Sequence, residues 1–232
     1  MTQARASHLR LVINEPALPV ARLPRLRFKP IVRLADGAAF GMHVETDISF
    51  EDTFQPRHLS DAAHPSPASW LGELIERAGR LAQDTQTTLR PISITCPMAA
   101  LSDADSAMAA EAGAKRAGLL TQEFRLDFVD ASIVALEDLA LDRVDAFRRK
   151  GFRVGLDARK SWRTPMGARA RMTFEAVRLD ATSMDGLEIP MTRLEVSSSD
   201  GVALIAENVR WRDVEKLADQ GIHFAMAPKA DS

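Results

Sequence analysis

A single cysteine, Cys96, stands in 232 residues, which excludes an internal disulfide framework and any all-cysteine metal centre. Basic charge is not in surplus either: 30 Lys and Arg face 32 Asp and Glu, a formal net charge of −2. Dedicated nucleic-acid binders need a positive excess to neutralise phosphates, so no nucleic-acid partner is expected. No apolar run approaches the about 18 residues that span a bilayer. The first residues hold too many arginines and prolines for the apolar stretch of a secretory leader. A reducing, cytoplasmic compartment is therefore expected. Phosphate-cradling G-x-x-x-x-G-K-[ST] and G-x-G-x-x-G loops are missing, and no cofactor is expected. H-E-x-x-H and the G-x-S-x-G elbow are missing too, and no repeat of about 20–50 residues is visible.

What is there is an ordinary globular composition, 46% hydrophobic and 27% charged, long enough for one large domain with a sizeable core. Residues 1–24 read as an N-terminal arm, because Pro16, Pro19 and Pro24 cut them into pieces too short for a stable helix. Arg5, Arg10 and Arg22 lie in it, Arg25 and Arg27 follow, and Glu15 is the single acid before residue 28. The domain proper is assigned to 25–232.

Beyond the arm, strands and helices alternate. Residues 26–45 give two strands around Ala35-Asp36-Gly37, with Asp-Gly as the hairpin signal. Residues 50–67 read as loop. Trp70, Leu71, Leu74, Ile75, Ala78, Leu81 and Ala82 recur at helical spacing, with Ser69 as the cap. Strands are expected over 91–96, 124–130, 152–158, 176–181, 201–209 and 222–227. Helices are expected from about 102 to 117, over 136–151 with Gly151 as the stop, and over 211–221. Met98 and Met108 are assigned to the core as gap fillers. A basic loop after residue 158 carries Arg159, Lys160, Arg163, Arg169 and Arg171.

Short apolar strands alternating with helices imply parallel βαβ units, and their number favours an α/β fold closed into a TIM-type (β/α)8 barrel. The barrel is a trimmed one, since 25–232 falls short of the about 250 residues typical of the fold. The shortage is local: only 26 residues separate Asp180 from Glu207. Side chains at the C-terminal ends of barrel strands build the site, which directs attention to Thr95, Asp130, Asp157, Asp180 and Glu207.

From Phe28 to Ala227 the blocks resemble the EAL domain, the family whose active members hydrolyse the bacterial second messenger cyclic di-GMP. FKPIVRLADGAAFGMHVE is similar to the opening strand pair, YQPIVDL followed by G-x-E-A-L. ISIT (92–95) resembles V-S-x-N, and LDFVDAS (126–132) resembles L-E-I-T-E-S. LALDRVDAFRRKGFRVGLDA (139–158) resembles L-R-x-x-G-x-x-I-A-L-D-D. VRLDAT (177–182) is similar to L-K-I-D, and LIAENVR (204–210) to V-I-A-E-G-V-E. The resemblance implies an EAL-type barrel and, in active members, two divalent cations that activate water against a phosphodiester.

The departures fall on the ligands that this chemistry needs. The name-giving glutamate is His43, and the asparagine is Thr95. The threonine-glutamate pair is Val129-Asp130, and of the aspartate pair Asp157 remains beside Ala158. The family lysine is Arg178, followed by Asp180; Glu207 is kept, but the later acid of its block is Arg210. The C-terminal Gln-Gly-Tyr region has no clear match. His43, Thr95, Asp130, Asp157, Arg178, Asp180 and Glu207 thus make a vestigial site, with no metal and no catalytic residue assigned.

Three functions follow from the resemblance, in this order. The first is an inactive EAL-like regulator that binds a protein partner of unknown identity, in bacterial signalling or motility. Exposed Arg and Trp are typical interface anchors, and Trp162 and Trp211 beside Arg210 and Arg212 are candidates. The second is a receptor that binds cyclic di-GMP uncut, with Arg178, Arg159 and Lys160 facing the ligand. Against it, the family's phosphate-binding arginine is Asp47, which replaces attraction by repulsion. The third is a residual metal-dependent phosphodiesterase using His43, Asp130, Asp157 and Glu207.

Overall fold

The computed structural model describes residues 24–47, 66–159, 168–184 and 201–226. The expected arm, up to residue 23, lies outside them, as do Lys160, Trp162, Arg163 and residues 185–200.

Strands β1 (Leu26–Arg33) and β2 (Ala39–Thr46) form an antiparallel hairpin. Its turn is closed by Asp36, whose Oδ1 accepts from Ala38 N at 3.0 Å, and by Gly37 at φ +68°. Strands β3 (Ile92–Cys96), β4 (Phe124–Val129), β5 (Arg153–Asp157), β6 (Ala176–Asp180), β7 (Ala203–Glu207) and β8 (Phe224–Met226) follow. They close in chain order into a barrel in which β1 is antiparallel to both β2 and β8 and every other pair is parallel. This is the modified barrel that the resemblance implies.

The helices depart from expectation at their ends. Helix α1 (Pro67–Asp84) is capped by Ser66, whose Oγ accepts from Ser69 N at 3.1 Å, and not by Ser69. Pro67 explains the earlier start, since a first-turn proline forfeits no hydrogen bond. The helix expected from about residue 102 is two pieces, α2 (Met98–Ser102) and α3 (Ser106–Arg116). Asp103 makes the break, its carboxylate accepting from Asp105 N and, across to α1, from Ala68 N. Met98 and Met108 are exposed, against the core assignment: Met98 is the first residue of α2, which buries Ala100 and Leu101, and Met108 falls off the stripe Ala107, Ala110 and Ala114 that α3 buries. Helix α4 (Asp130–Arg149) leaves β4 directly and starts six residues before the expected position. Helix α5 (Ala168–Thr173) takes up part of the basic loop. Its Arg169 is engaged by Asp138, Asp142 and Asp145 of α4, so it is no free anion contact. Trp211–Asp213 is a 3₁₀ turn, leaving α6 as Val214–Asp219.

Alternation along each strand separates two cores. Phe124, Leu126 and Phe128 of β4, with Val154, Leu156, Val177, Leu179, Leu204 and Ala206, pack outward beneath the helices. Inside, Ile31, Ala176, Ile205 and Met226 make a small apolar plug at one end of the barrel. Other inward positions are polar, among them Ser93, Arg125, Asp127, Arg178 and Glu207. They place charge in the barrel's interior.

Candidate functional site

The parallel registers fix which side chains meet. His43 pairs with Ser93 and Ser93 with Arg125; Thr95 pairs with Asp127 and Asp127 with Gly155; Asp157 pairs with Arg178, and Asp180 with Glu207. Residues at one level of parallel strands face the same side, so these levels stack as tiers inside the barrel.

The lower tier joins His43 to Ser93, Arg125 and Asp127, three residues outside the vestigial site as read from the sequence. Asp127 has no solvent exposure and Arg125 has 1%. Arg125 Nε donates to Asp127 Oδ1 at 2.8 Å and Nη2 to Ser93 Oγ at 3.0 Å. Ser93 Oγ in turn donates to Asp127 Oδ2. Its one proton is thereby committed, so Ser93 must accept from His43, whose Nδ1 lies 3.4 Å away. That contact puts the proton of a neutral imidazole on Nδ1. Burial holds His43 well below its usual 6.5, and the positive charges of Arg178, Arg125, Arg159 and Lys29 add to the effect.

A pH dependence follows. An imidazole that stays neutral when folded but protonates when unfolded costs stability as pH falls below about 6.5. As pH falls below about 6.5 the loss from His43 is expected to steepen, with about 1.4 kcal/mol per pH unit as the ceiling for one proton. Urea midpoints at pH 7, 6 and 5 check this. The His43→Gln variant should show the flatter dependence, and equal slopes would refute the assignment.

The upper tier lies at the strand ends. Arg178, 1% exposed, donates Nη1 to Thr95 Oγ1 at 2.8 Å and Nη2 to Glu207 Oε1, and its Nη1 lies 3.5 Å from Asp127 and 3.7 Å from Asp157. Arg178 Nε is buried with no hydrogen-bond partner among the described residues. Arg159 grips Asp157 with Nε and Nη2 at 2.8 and 2.7 Å, and reaches Glu207 Oε2 with Nη1 at 3.0 Å. Burial alone would raise the pKa of Asp157, but the Arg159 hydrogen bonds and the charge of Arg178 outweigh it and lower the value. Three guanidiniums (Arg125, Arg159, Arg178) thus meet three carboxylates (Asp127, Asp157, Glu207), and the six charges cancel.

Of the residues that sequence reasoning selected, His43, Thr95, Asp157, Arg159, Arg178 and Glu207 converge on this network, and Lys160 lies outside the described residues. Asp180 sits beside it and serves the backbone. It accepts from Thr182 N, Thr182 Oγ1 and Asn208 Nδ2, and these bonds lower its pKa although burial opposes them. Asn208 stands where the family motif has glycine, and at φ +55° it adopts the left-handed backbone that asparagine tolerates best after glycine. Asp130 is the buried first residue of α4. Asp47 Oδ1 accepts from Arg25 N at 2.6 Å at the entry to β1. Ser93, Arg125 and Asp127 were missed. Their signal was Arg-x-Asp alternating with Phe124, Leu126 and Phe128, a pattern that puts both charges on the inner face.

No protein-family model and no curated protein matches the sequence. Solved structures do match its fold. An EAL enzyme, Bd1971, with cAMP and cyclic di-GMP bound, superposes with a TM-score of 0.65 at 16% identity, over 89% of this chain and 61% of that one. Klebsiella pneumoniae BlrP1 with calcium and cyclic di-GMP gives 0.66 at 16% identity, over 89% of this chain and 54% of that one. The PaMucR phosphodiesterase with c-di-GMP gives 0.69 at 14% identity, over 89% and 94%. The chain therefore has the EAL-type barrel fold and spans between half and two thirds of the first two proteins.

The divalent cations implied by that family do not fit the residues present. The free oxygens that a metal would need on Asp157 and Glu207 already face guanidinium nitrogens. A cation bound to these oxygens would have to displace the guanidinium nitrogens that now face them. Among the described residues, no three His, Cys, Asp or Glu side chains are grouped to hold a metal ion. Among the same residues, no helix is long and apolar enough to cross a membrane.

Proposed function

We propose that this EAL-type barrel is a regulatory protein that does not hydrolyse cyclic di-GMP and acts by binding another protein, in bacterial signalling or motility. The observation that carries this reading is the pairing of Asp157 and Glu207 with Arg159 and Arg178. Phosphodiester hydrolysis of the metal-assisted kind needs carboxylates free to hold cations and to deprotonate water. Here those carboxylates are engaged by permanently charged donors. On this reading residues 25–232 are the working domain, the protein is cytoplasmic, and residues 1–24 form an arm available to the partner.

A second reading is a receptor that binds the dinucleotide uncut. It draws on the cyclic di-GMP bound in the similar structures and on Arg159, whose side chain is 38% exposed at the mouth. Lys160, next in the chain, belongs to the same proposal. Asp47 opposes it, since a carboxylate near the rim repels phosphate.

Incubation with cyclic di-GMP and Mg²⁺ or Mn²⁺ is expected to yield no linear product above a no-protein control. Product above that control, lost in an Asp157→Asn variant, overturns the non-hydrolytic reading. Calorimetric titration separates the other two, because micromolar or tighter binding of the dinucleotide would replace the pure scaffold by the receptor.

A further inference from the structure

We infer that Arg159 is a built-in cation that fills a latent divalent-cation site between Asp157 and Glu207, so that the mouth of this barrel is completed by its own side chain instead of by metal. The inference deepens the non-hydrolytic reading and, for the unmodified chain, rests on it.

Two buried carboxylates from strands separated by a third must be neutralised, because an unpaired charge in a desolvated site is costly. Asp157 is 4% exposed and Glu207 7%. The strand between them, β6, supplies Arg178, which satisfies Glu207 Oε1 from below but stands 3.7 Å from Asp157. Asp157 Oδ1, Asp157 Oδ2 and Glu207 Oε2 are left for a second cation. Arg159 meets all three with one planar group, at 2.8, 2.7 and 3.0 Å. Those are hard oxygen donors, the class that Mg²⁺ and Mn²⁺ select.

Position in the chain makes the substitution inexpensive. Arg159 follows Asp157 by two residues, and its backbone N also donates to Asp157 Oδ1 at 3.3 Å. The cation is therefore delivered as β5 ends, without ordering a distant segment. Its side chain is 38% exposed, against 1% for Arg178, so it enters from the solvent side. Its removal opens the mouth to ions and leaves the apolar cores untouched. A guanidinium also stays protonated at any working pH, and hydrogen bonding to Asp157 raises its pKa further. No chelator can extract it.

The test follows Mn²⁺ uptake by electron paramagnetic resonance, together with thermal unfolding in EDTA and in Mn²⁺, for the full chain and its variants. The unmodified protein is expected to take up no Mn²⁺ and to unfold at the same temperature in both. Arg159→Ala is expected to bind one Mn²⁺ per chain, and its Tm should rise by about 5 °C when the ion reaches a hundredfold excess over Kd. Arg159→Ala/Asp157→Asn should lose both effects. If Arg159→Ala folds only with Mn²⁺ present, the inference stands. If it fails to fold in either condition, Arg159→Met, which keeps the apolar stem, takes its place. A folded variant that binds no Mn²⁺, or two variants that stay unfolded in Mn²⁺, overturn the inference. So does Mn²⁺ uptake by the unmodified protein that Asp157→Asn abolishes. Hydrolysis by an unmodified protein that binds no Mn²⁺ would instead sink the regulatory reading and leave this one intact.

Discussion

Replacing Asp127 by alanine is expected to lower the unfolding free energy by about 3–5 kcal/mol in a urea titration at pH 7, the cost of leaving a buried charge without its partner. Asp127 has no solvent exposure, and its two oxygens receive Arg125 Nε at 2.8 Å, Arg125 Nη2 at 3.3 Å and the Ser93 hydroxyl. Without them Arg125, also buried, keeps only Ser93 among these partners. Asp127→Asn preserves an acceptor but not the charge, so it should fall between alanine and the native residue. Arg125→Leu/Asp127→Leu removes both charges together and is expected to recover most of the loss, since an apolar pair of similar volume replaces a buried ion pair at little net cost. A single alanine variant that costs less than about 1 kcal/mol, the range of exposed pairs, would show that the interior pair is hydrated and would refute this account.

The barrel itself was legible in the sequence. Apolar strands such as Phe124–Val129 and Arg153–Asp157, each paired with a helical pattern, placed the order of elements correctly. The hairpin was marked by its Asp-Gly turn. Helix ends were less legible, because caps are decided by one side chain's choice among several backbone donors. Ser66 and Ser69 are both good caps, and only Pro67 distinguishes them. Asp103 reads as a helix opener, yet its second oxygen is used across the fold by Ala68, a contact that no local pattern encodes.

The site was half legible for a related reason. Motif positions name the residues at strand ends, and His43, Thr95, Asp157, Arg178 and Glu207 do converge. What a motif does not encode is which charge answers which. Arg159 read as a basic loop residue that would face a bound dinucleotide, whereas its neighbour two positions back, Asp157, is the partner it grips with two nitrogens. Arg169, equally basic in the sequence, is spent on α4 instead. The lower tier stayed hidden because attention to strand termini passes over mid-strand charges. An arginine and an aspartate two apart on a strand face the same side, and between outward Phe124, Leu126 and Phe128 that side is the barrel interior.

Gly155→Ala is expected to cost about 3–5 kcal/mol, although strand propensity alone predicts a small gain from replacing glycine. Gly155 lies opposite Asp127 in the β4–β5 register and faces the interior. A Cβ there would stand 2.3 Å from Asp127 Oδ1 and 3.4 Å from the Ala176 carbonyl oxygen. The nearer atom is the one that receives Arg125 Nε. The carboxylate cannot yield without breaking that bond. The cost therefore combines about 1–3 kcal/mol of overpacking with the about 1.5–3 kcal/mol of a hydrogen bond to a charged group. A double-mutant cycle isolates the cause. In an Asp127→Ala background the obstructing oxygen is gone, so the same methyl group is expected to cost less than about 1 kcal/mol, a coupling far outside the additivity of independent sites. Additive losses in that cycle would mean that the glycine answers to the Ala176 backbone instead, and that the tier of Ser93, Arg125 and Asp127 is not what fixes it.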